Sequence, residues 1–338
     1  MRVGYVSGLA RTPGVEILAN MSVGSSHSVL APMVMRDDVL DQADFAIFDL
    51  TINEQRALNK QMYNLDTMRE VFAYILARCR RHGVIPVFLL MPMCLFQDGY
   101  PILGDYRDLC ERHGVFYVDP SERVMAEAAK LDRTWADLFL DHHHLVSDLA
   151  EQIGQRLGEV LQAVDLAPGA MTSVAAPDFA FIPAAPFAGD LQVIDRATAL
   201  IAGRLVRLTP GDSLTLSIGD SAAVAGIALN MSRTSANLRL EGRTRMVKRL
   251  AHPNYDAKGG LKMVVWQVLN PLEAAGGQVV LTCLADRKDD RVESNDHYAR
   301  HIVRPDPEVE LAGLIVRSSA APTELDWQGY ARPAISLL

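Results

Sequence analysis

Cysteine is scarce in this sequence, basic clusters are missing, and no apolar run approaches the length of a membrane span. The four cysteines among 338 residues (Cys79, Cys94, Cys110 and Cys283) are scattered without CxxC spacing. This spacing excludes a disulfide-dense scaffold and reads as buried free thiols in a reducing compartment. Lysine and arginine total 33 against 41 aspartates and glutamates, a net charge of −8. Phosphate contacts need concentrated cations, so a nucleic-acid partner is not expected. Glycine, proline and Arg11 interrupt the first residues before a signal-like apolar core can form. With no bilayer-length run, the expectation is a cytoplasmic protein without a membrane span.

The hydrophobic content, 49%, is enough for a sizeable core, and the length suggests two domains. Apolar runs over 15–23, 45–50, 84–91 and 115–118 suit buried strands. Between them lie helical patterns over 65–82 and 104–113. These end in Arg81-His82-Gly83 and Arg112-His113-Gly114, cations in the last turn and glycine just past it. A last amphipathic helix covers 147–163. Apolar strands alternating with helices predict a parallel sheet covered on both faces. Residues 164–188 hold four prolines amid alanine and read as a linker or an extended crossing strand. Beyond them, short alternating runs separated by turn residues predict an antiparallel β-sandwich. The expected division is an α/β domain over 1–163, a linker over 164–188 and a sandwich over 189–338. Homo-oligomerisation through the sandwich is left open.

Chemistry gathers where strand ends meet helix starts. At the first junction, Gly24-Ser25-Ser26-His27 offers a sharp turn with a hydroxyl beside free backbone amides, or an ordinary serine cap. At the second, Asn53 either donates its amide to an oxyanion or serves a turn. At the last, Asp141-His142-His143-His144 sets a carboxylate three residues before an imidazole. It could be a base with its orienting partner, a metal site or a solvated turn. Consecutive histidine side chains diverge and no ligand spacing exists elsewhere, so neither metal nor cofactor is expected. His27 is read as lining the pocket or capping. Trp135, Tyr63 and Tyr100 are read as core packing or as platforms for a sugar ring.

Taken in order, the three blocks resemble the SGNH (GDSL-like) hydrolase superfamily over about residues 14–163. Gly24-Ser25-Ser26-His27 is similar to its Gly-Asp-Ser block, with Ser25 in place of Asp. Thr51-Ile52-Asn53-Glu54 is similar to its Gly-x-Asn-Asp block, with both flanking positions changed. Asp141 to His144 is similar to its closing Asp-x-x-His block. The resemblance implies a flavodoxin-like three-layer α/β/α sandwich with Ser26 as nucleophile, His144 as base and Asp141 orienting it. Asn53 and the Ser26 amide are the implied oxyanion donors. The superfamily's second-block glycine has no counterpart between Ser26 and Asp44, leaving one donor unaccounted for. The implied activity is a serine esterase or O-acyl(acetyl)transferase on an acylated carbohydrate or small molecule, through an acyl-enzyme. The competing expectation is a non-catalytic carbohydrate- or partner-binding protein with a degenerate hydrolase domain. Gly211-Asp212-Ser213-Leu214 spells the motif name literally. It sits between alternating strands, where turn chemistry explains it, and its nearest downstream partners are Asn295-Asp296-His297.

Overall fold

The computed structural model describes residues 4–24, 26–250, 260–285, 292–294 and 306–338. The first part of the chain runs α1 (Tyr5–Arg11), α2 (Ala31–Val34), α3 (Asp37–Leu40), β1 (Phe45–Phe48), α4 (Thr51–Asn59), α5 (Leu65–His82), β2 (Ile85–Leu89), α6 (Pro101–His113), β3 (Phe116–Val118), α7 (Ser121–Lys130) and α8 (Ser147–Gln162). Strands follow: β4 (Pro168–Ala176), β5 (Phe179–Pro183), β6 (Val193–Ala197), β7 (Ala202–Leu208), β8 (Ser213–Ser217), β9 (Ala222–Asn230), β10 (Asn237–Glu241), β11 (Arg245–Arg249), β12 (Met263–Glu273), β13 (Gln278–Leu284), β14 (Val292–Ser294), β15 (Val309–Ser318), β16 (Thr323–Tyr330) and β17 (Ala334–Ile335).

Alternation along β2 builds the first layer structure. Phe88 and Leu90 point into a cluster with Phe72, Leu76, Ile102 and Tyr106 of α5 and α6. Val87 and Leu89 point the other way, against Leu149, Ile153 and Leu157 of α8. Successive strand residues face opposite sides, so helices cover both faces of a parallel sheet ordered β1-β2-β3-β17. This is the expected three-layer α/β arrangement. The two glycine endings also hold: Gly83 and Gly114 cap α5 and α6 in the left-handed region at φ 69° and 61°.

The second architecture is an antiparallel sandwich. A five-stranded sheet, β14-β11-β10-β13-β8, faces a six-stranded sheet, β12-β9-β15-β7-β6, to which β5 adds through β15. Leu214, Leu238, Leu240 and Leu281 of one meet Val206, Ile227, Val264 and Leu314 of the other. The outer face of the six-stranded sheet is also covered. Ala225, Ala228, Val265 and Ile315 join the cluster that holds α5, α6 and the Ser28–Leu30 3-10 turn. Every residue of β9 is consequently buried. The small residues on that face let the sandwich approach closely. A Cβ on Gly226 would lie 2.8 Å from Val29 Cγ1 and 3.0 Å from Val265 Cγ1. Polar contacts fix the same seam. The Asn64 side chain accepts from Thr67 N at 2.8 Å, capping α5, and donates to Leu269 O of β12 at 3.2 Å. Gln267 Nε2 donates to Thr67 Oγ1 at 2.5 Å, and Arg317 pairs with Glu70 at 2.6 Å.

Three expectations need correction. Residues 15–23 form no strand. Ile17 and Val23 pack inward beside Phe45 and Phe48, but Leu18 is 45% exposed. With only one side packed, the run lacks the two buried faces of a central parallel strand. Of the two readings of residues 164–188, extended strand fits and a free linker does not, because β4 pairs with β16 and β5 with β15. Their alanines and prolines hid the ladder, since only Val174, Ala176 and Phe179 of these two strands are buried. The end of the chain does not stay with the sandwich. β17 pairs parallel with β3, and Trp327 of β16 packs in the α5–α6 cluster.

Candidate active site

The loop between α7 and α8 is a closed hairpin whose geometry is written locally. Leu140 N donates to His144 O at 2.7 Å and Val146 N to Leu138 O at 2.9 Å, tying the base. Cys94 N donates to His142 O at 3.1 Å, fixing the tip to the chain after β2. Inside the turn, Asp141 Oδ1 accepts from His143 N at 2.8 Å and His144 N at 3.0 Å. Both Asp141 oxygens also lie against His144 Nδ1, at 2.9 and 2.8 Å. Burial pushes the Asp141 carboxyl up, but the His143 amide and the His144 ring outweigh it and bring it down to about 2. An ionised carboxylate only accepts, so Nδ1 is the donor in this pair and Nε2 is the nitrogen turned to other partners. The His144 side chain is 60% exposed and reachable by a substrate.

The serine segment is held from below. Leu30 N donates to His27 O at 2.9 Å, and Val29 and Leu30 are buried against the sandwich seam. Ser26 is 4% exposed, and its Oγ finds no hydrogen-bond partner among the described residues. A buried hydroxyl without a partner costs about 1–3 kcal/mol and marks a site worth explaining. His27 is buried with its ring 5.0 Å from that of Tyr63. Burial, helped by the Lys248 charge, lowers its pKa to about 4. It is a core side chain and does not line an open pocket.

Between these two segments stands the start of α4. Asn53 lies in its first turn, not in a turn after the strand, and its side chain engages no hydrogen-bond partner among the described residues. The next residue, Glu54, is fully buried and accepts from Ser28 N at 2.9 Å and from the Tyr63 hydroxyl at 2.7 Å. On the opposite side, burial and then the Arg56 charge lower the His143 pKa, which sets α4 close to the histidine hairpin. Asp49, at the end of β1, is half-buried. Burial raises its carboxyl to about 7 while the nearby His144 opposes the rise.

The structure therefore unites Asp141 with His144 and ties the serine segment to the helix that carries Asn53. It does not bring Ser26 Oγ into hydrogen-bond contact with His144. Asp49, Glu54 and Arg56 were not expected at the site, and Tyr63 was expected only in the core or as a sugar platform. The one signal for Glu54 was its position after Asn53, where the resembled block carries an acid. Trp135, Tyr63 and Tyr100 are buried, with Trp135 Nε1 donating to Cys94 O at 3.0 Å and Tyr100 OH to Met91 O at 2.6 Å, so none offers an open face to a sugar. Gly211 and Asp212 form a turn in which Thr209 N donates to Asp212 Oδ2 at 2.7 Å. The Asn295-Asp296-His297 stretch lies outside the described residues. Among the described residues, no three His, Cys, Asp or Glu side chains gather to hold a metal ion, and no helix is long and apolar enough to cross a membrane.

No protein-family model matches this sequence, and no curated protein matches it. Among solved structures, the chain is similar to a two-domain esterase (CEX) active on acetylated mannans. One structure, with mannopentaose, aligns at TM-score 0.57 and 12% identity over 89% of this chain and 79% of that chain. A second structure of a two-domain esterase active on acetylated mannans aligns at TM-score 0.59 and 11% identity, over 89% and 80%. At such identity the likeness is one of fold: an α/β unit with a parallel sheet, joined to antiparallel sheets, in the two-domain architecture of these esterases.

Proposed function

We propose that this protein is a serine esterase acting on an acetylated carbohydrate, with an SGNH-type site in its α/β unit. The observation that carries the reading is the His144–Asp141 pair, an exposed imidazole whose Nδ1 is held 2.8 Å from an ionised carboxylate. Support for the substrate class comes from the acetylated mannans on which the two fold neighbours act.

In this reading, His144 Nε2 takes the proton of Ser26 Oγ as the oxygen attacks the acetyl carbonyl. The Nδ1–H bond to Asp141 stabilises the imidazolium that forms. The Ser26 amide, which must give up its long 3.4 Å bond to Val23 O, and the Asn53 side chain receive the oxyanion. Collapse expels the sugar oxygen, which takes the proton from His144, and leaves Ser26 acetylated. Water, deprotonated by the same nitrogen, attacks the acetyl carbonyl. Collapse breaks the bond to Ser26 Oγ, which takes the proton back from His144 as acetate leaves. A sugar hydroxyl in place of water would make the same site a transferase. Ser26 Oγ must come within reach of His144 when an ester is bound; catalytic hydrogen bonds often tighten only in the Michaelis complex.

Acetate release from acetylated manno-oligosaccharides and from 4-nitrophenyl acetate tests the reading. The wild-type protein should release acetate, and Ser26→Ala and His144→Ala should each abolish release while remaining folded. Release undiminished in Ser26→Ala would remove Ser26 from the chemistry.

A further inference from the structure

Glu54 is a fully buried ionisable group that the mechanism above leaves unused. Both of its hydrogen-bond donors belong to segments around the candidate site. Ser28 N–H reaches Glu54 Oε1 at 2.9 Å across 26 positions of sequence. The Tyr63 hydroxyl reaches the same oxygen at 2.7 Å and lies 2.6 Å from Ser28 Oγ. With the Tyr63 proton given to Glu54, the Ser28 hydroxyl is the donor of that last bond. The result is a closed ring: backbone of Ser28 to Glu54, Glu54 to Tyr63, Tyr63 to the side chain of Ser28. Tyr106 faces the same carboxyl, and the Tyr63 ring packs on His27. Everything in the ring is buried, where such bonds strengthen and their loss is costly.

The ring joins two segments that share one task. Ser28 stands two residues after Ser26, and Glu54 one residue after Asn53. We propose that Glu54, locked by Tyr63, is a positioning residue that clamps the serine segment to the first turn of α4 and so fixes the Ser26 amide relative to the Asn53 side chain. The claim rests on the reading of Ser26 and Asn53 as nucleophile and oxyanion donors. Donors held in place before the reaction cost no reorganisation during it, which is what such a clamp would supply.

The test combines steady-state kinetics on 4-nitrophenyl acetate with amide hydrogen exchange of the 22–30 segment, both on the full chain. Glu54→Ala should lower kcat on the order of 10²-fold, the scale of an ångström-sized misplacement, with KM little changed. The Ser28 amide should exchange faster in the same variant. Glu54→Gln keeps an oxygen for both donors and should restore most of the kcat and the protection. Tyr63→Phe, which leaves the Glu54 carboxyl in place, should lower kcat about tenfold, the scale of one hydrogen bond. It serves in place of Glu54→Ala if that variant does not fold. A folded Glu54→Ala or Tyr63→Phe with wild-type kcat and wild-type exchange would overturn the clamp. A wild-type protein inert toward acetyl esters would instead defeat the functional reading, and exchange at Ser28 would then decide the clamp by itself.

Discussion

At the scale of single residues, the site divides into a half that is local and a half that is not. Asp141 and His144 are three positions apart, and the turn that joins them is built by Asp141 itself. Such geometry is legible from spacing. Asp141→Asn should leave the fold intact and lower kcat by about 10³–10⁴, because an amide no longer fixes the Nδ1–H tautomer. Steady-state kinetics on an acetyl ester would show it. Glu54 and Tyr63 act across 26 and 35 positions, so no window of sequence displays them. His27 gives a prediction of opposite kind. Burial lowers its pKa to about 4 from an ordinary 6.5, so the unfolded chain binds its proton first as pH falls. Its contribution is complete above pH 6.5 and is lost as pH falls through 4, about 3 kcal/mol in all. Burial raises the carboxyls of Asp49 and Glu54, and these change stability the other way over that range. The comparison must therefore be between variants. His27→Phe should gain about 3 kcal/mol relative to wild type between pH 7 and pH 4, measured by urea unfolding, and a constant difference would refute the assignment.

Among the elements, those with an apolar stripe were readable and those with a polar buried face were not. The pattern over 65–82 became α5 at those limits, because Met68, Val71, Phe72, Ile75 and Cys79 lie on its buried side. α4 escaped notice since its buried residues are Thr51, Glu54, Gln55 and Ala57. Hydrophobic periodicity has nothing to detect there. The run over 15–23 misled in the reverse direction, with apolar residues but no ladder. β9 shows how the sandwich meets the serine segment. Gly226→Val would drive two methyl groups into the space held by Val29 Cγ1 and Val265 Cγ1. Overpacking of this kind costs about 1–3 kcal/mol. Denaturant unfolding should register that loss, and acetyl ester turnover should fall with it, because Val29 sits three residues after Ser26.

For the whole molecule, sequence order and spatial order part company. The sandwich strands over 202–284 and 309–318 fall close to where alternation predicts them, and the two-layer packing follows. What alternation cannot show is the return of the chain to its first unit. β17 is two residues long, and its partner β3 lies more than 200 positions earlier. With Ile315, Ala225 and Val265 of the sandwich sharing a cluster with α5 and α6, the two units bury one continuous core. Thermal unfolding monitored by calorimetry should therefore give one transition. Deleting residues 333–338 removes β17 and the buried Leu337, whose burial alone contributes about 1.5–3 kcal/mol. That deletion should lower the melting temperature of the whole transition. Two resolved transitions, with only one shifted by the deletion, would contradict a shared core.

The central claim is that Ser26 is a nucleophile activated by His144. Reaction with a fluorophosphonate probe, followed by mass mapping of the adduct, tests it most directly. The account predicts a single adduct on Ser26, absent in Ser26→Ala and formed far more slowly in His144→Ala, with Ser213 at the start of β8 unmodified. A folded protein that takes no label, or takes it at another serine, would contradict it.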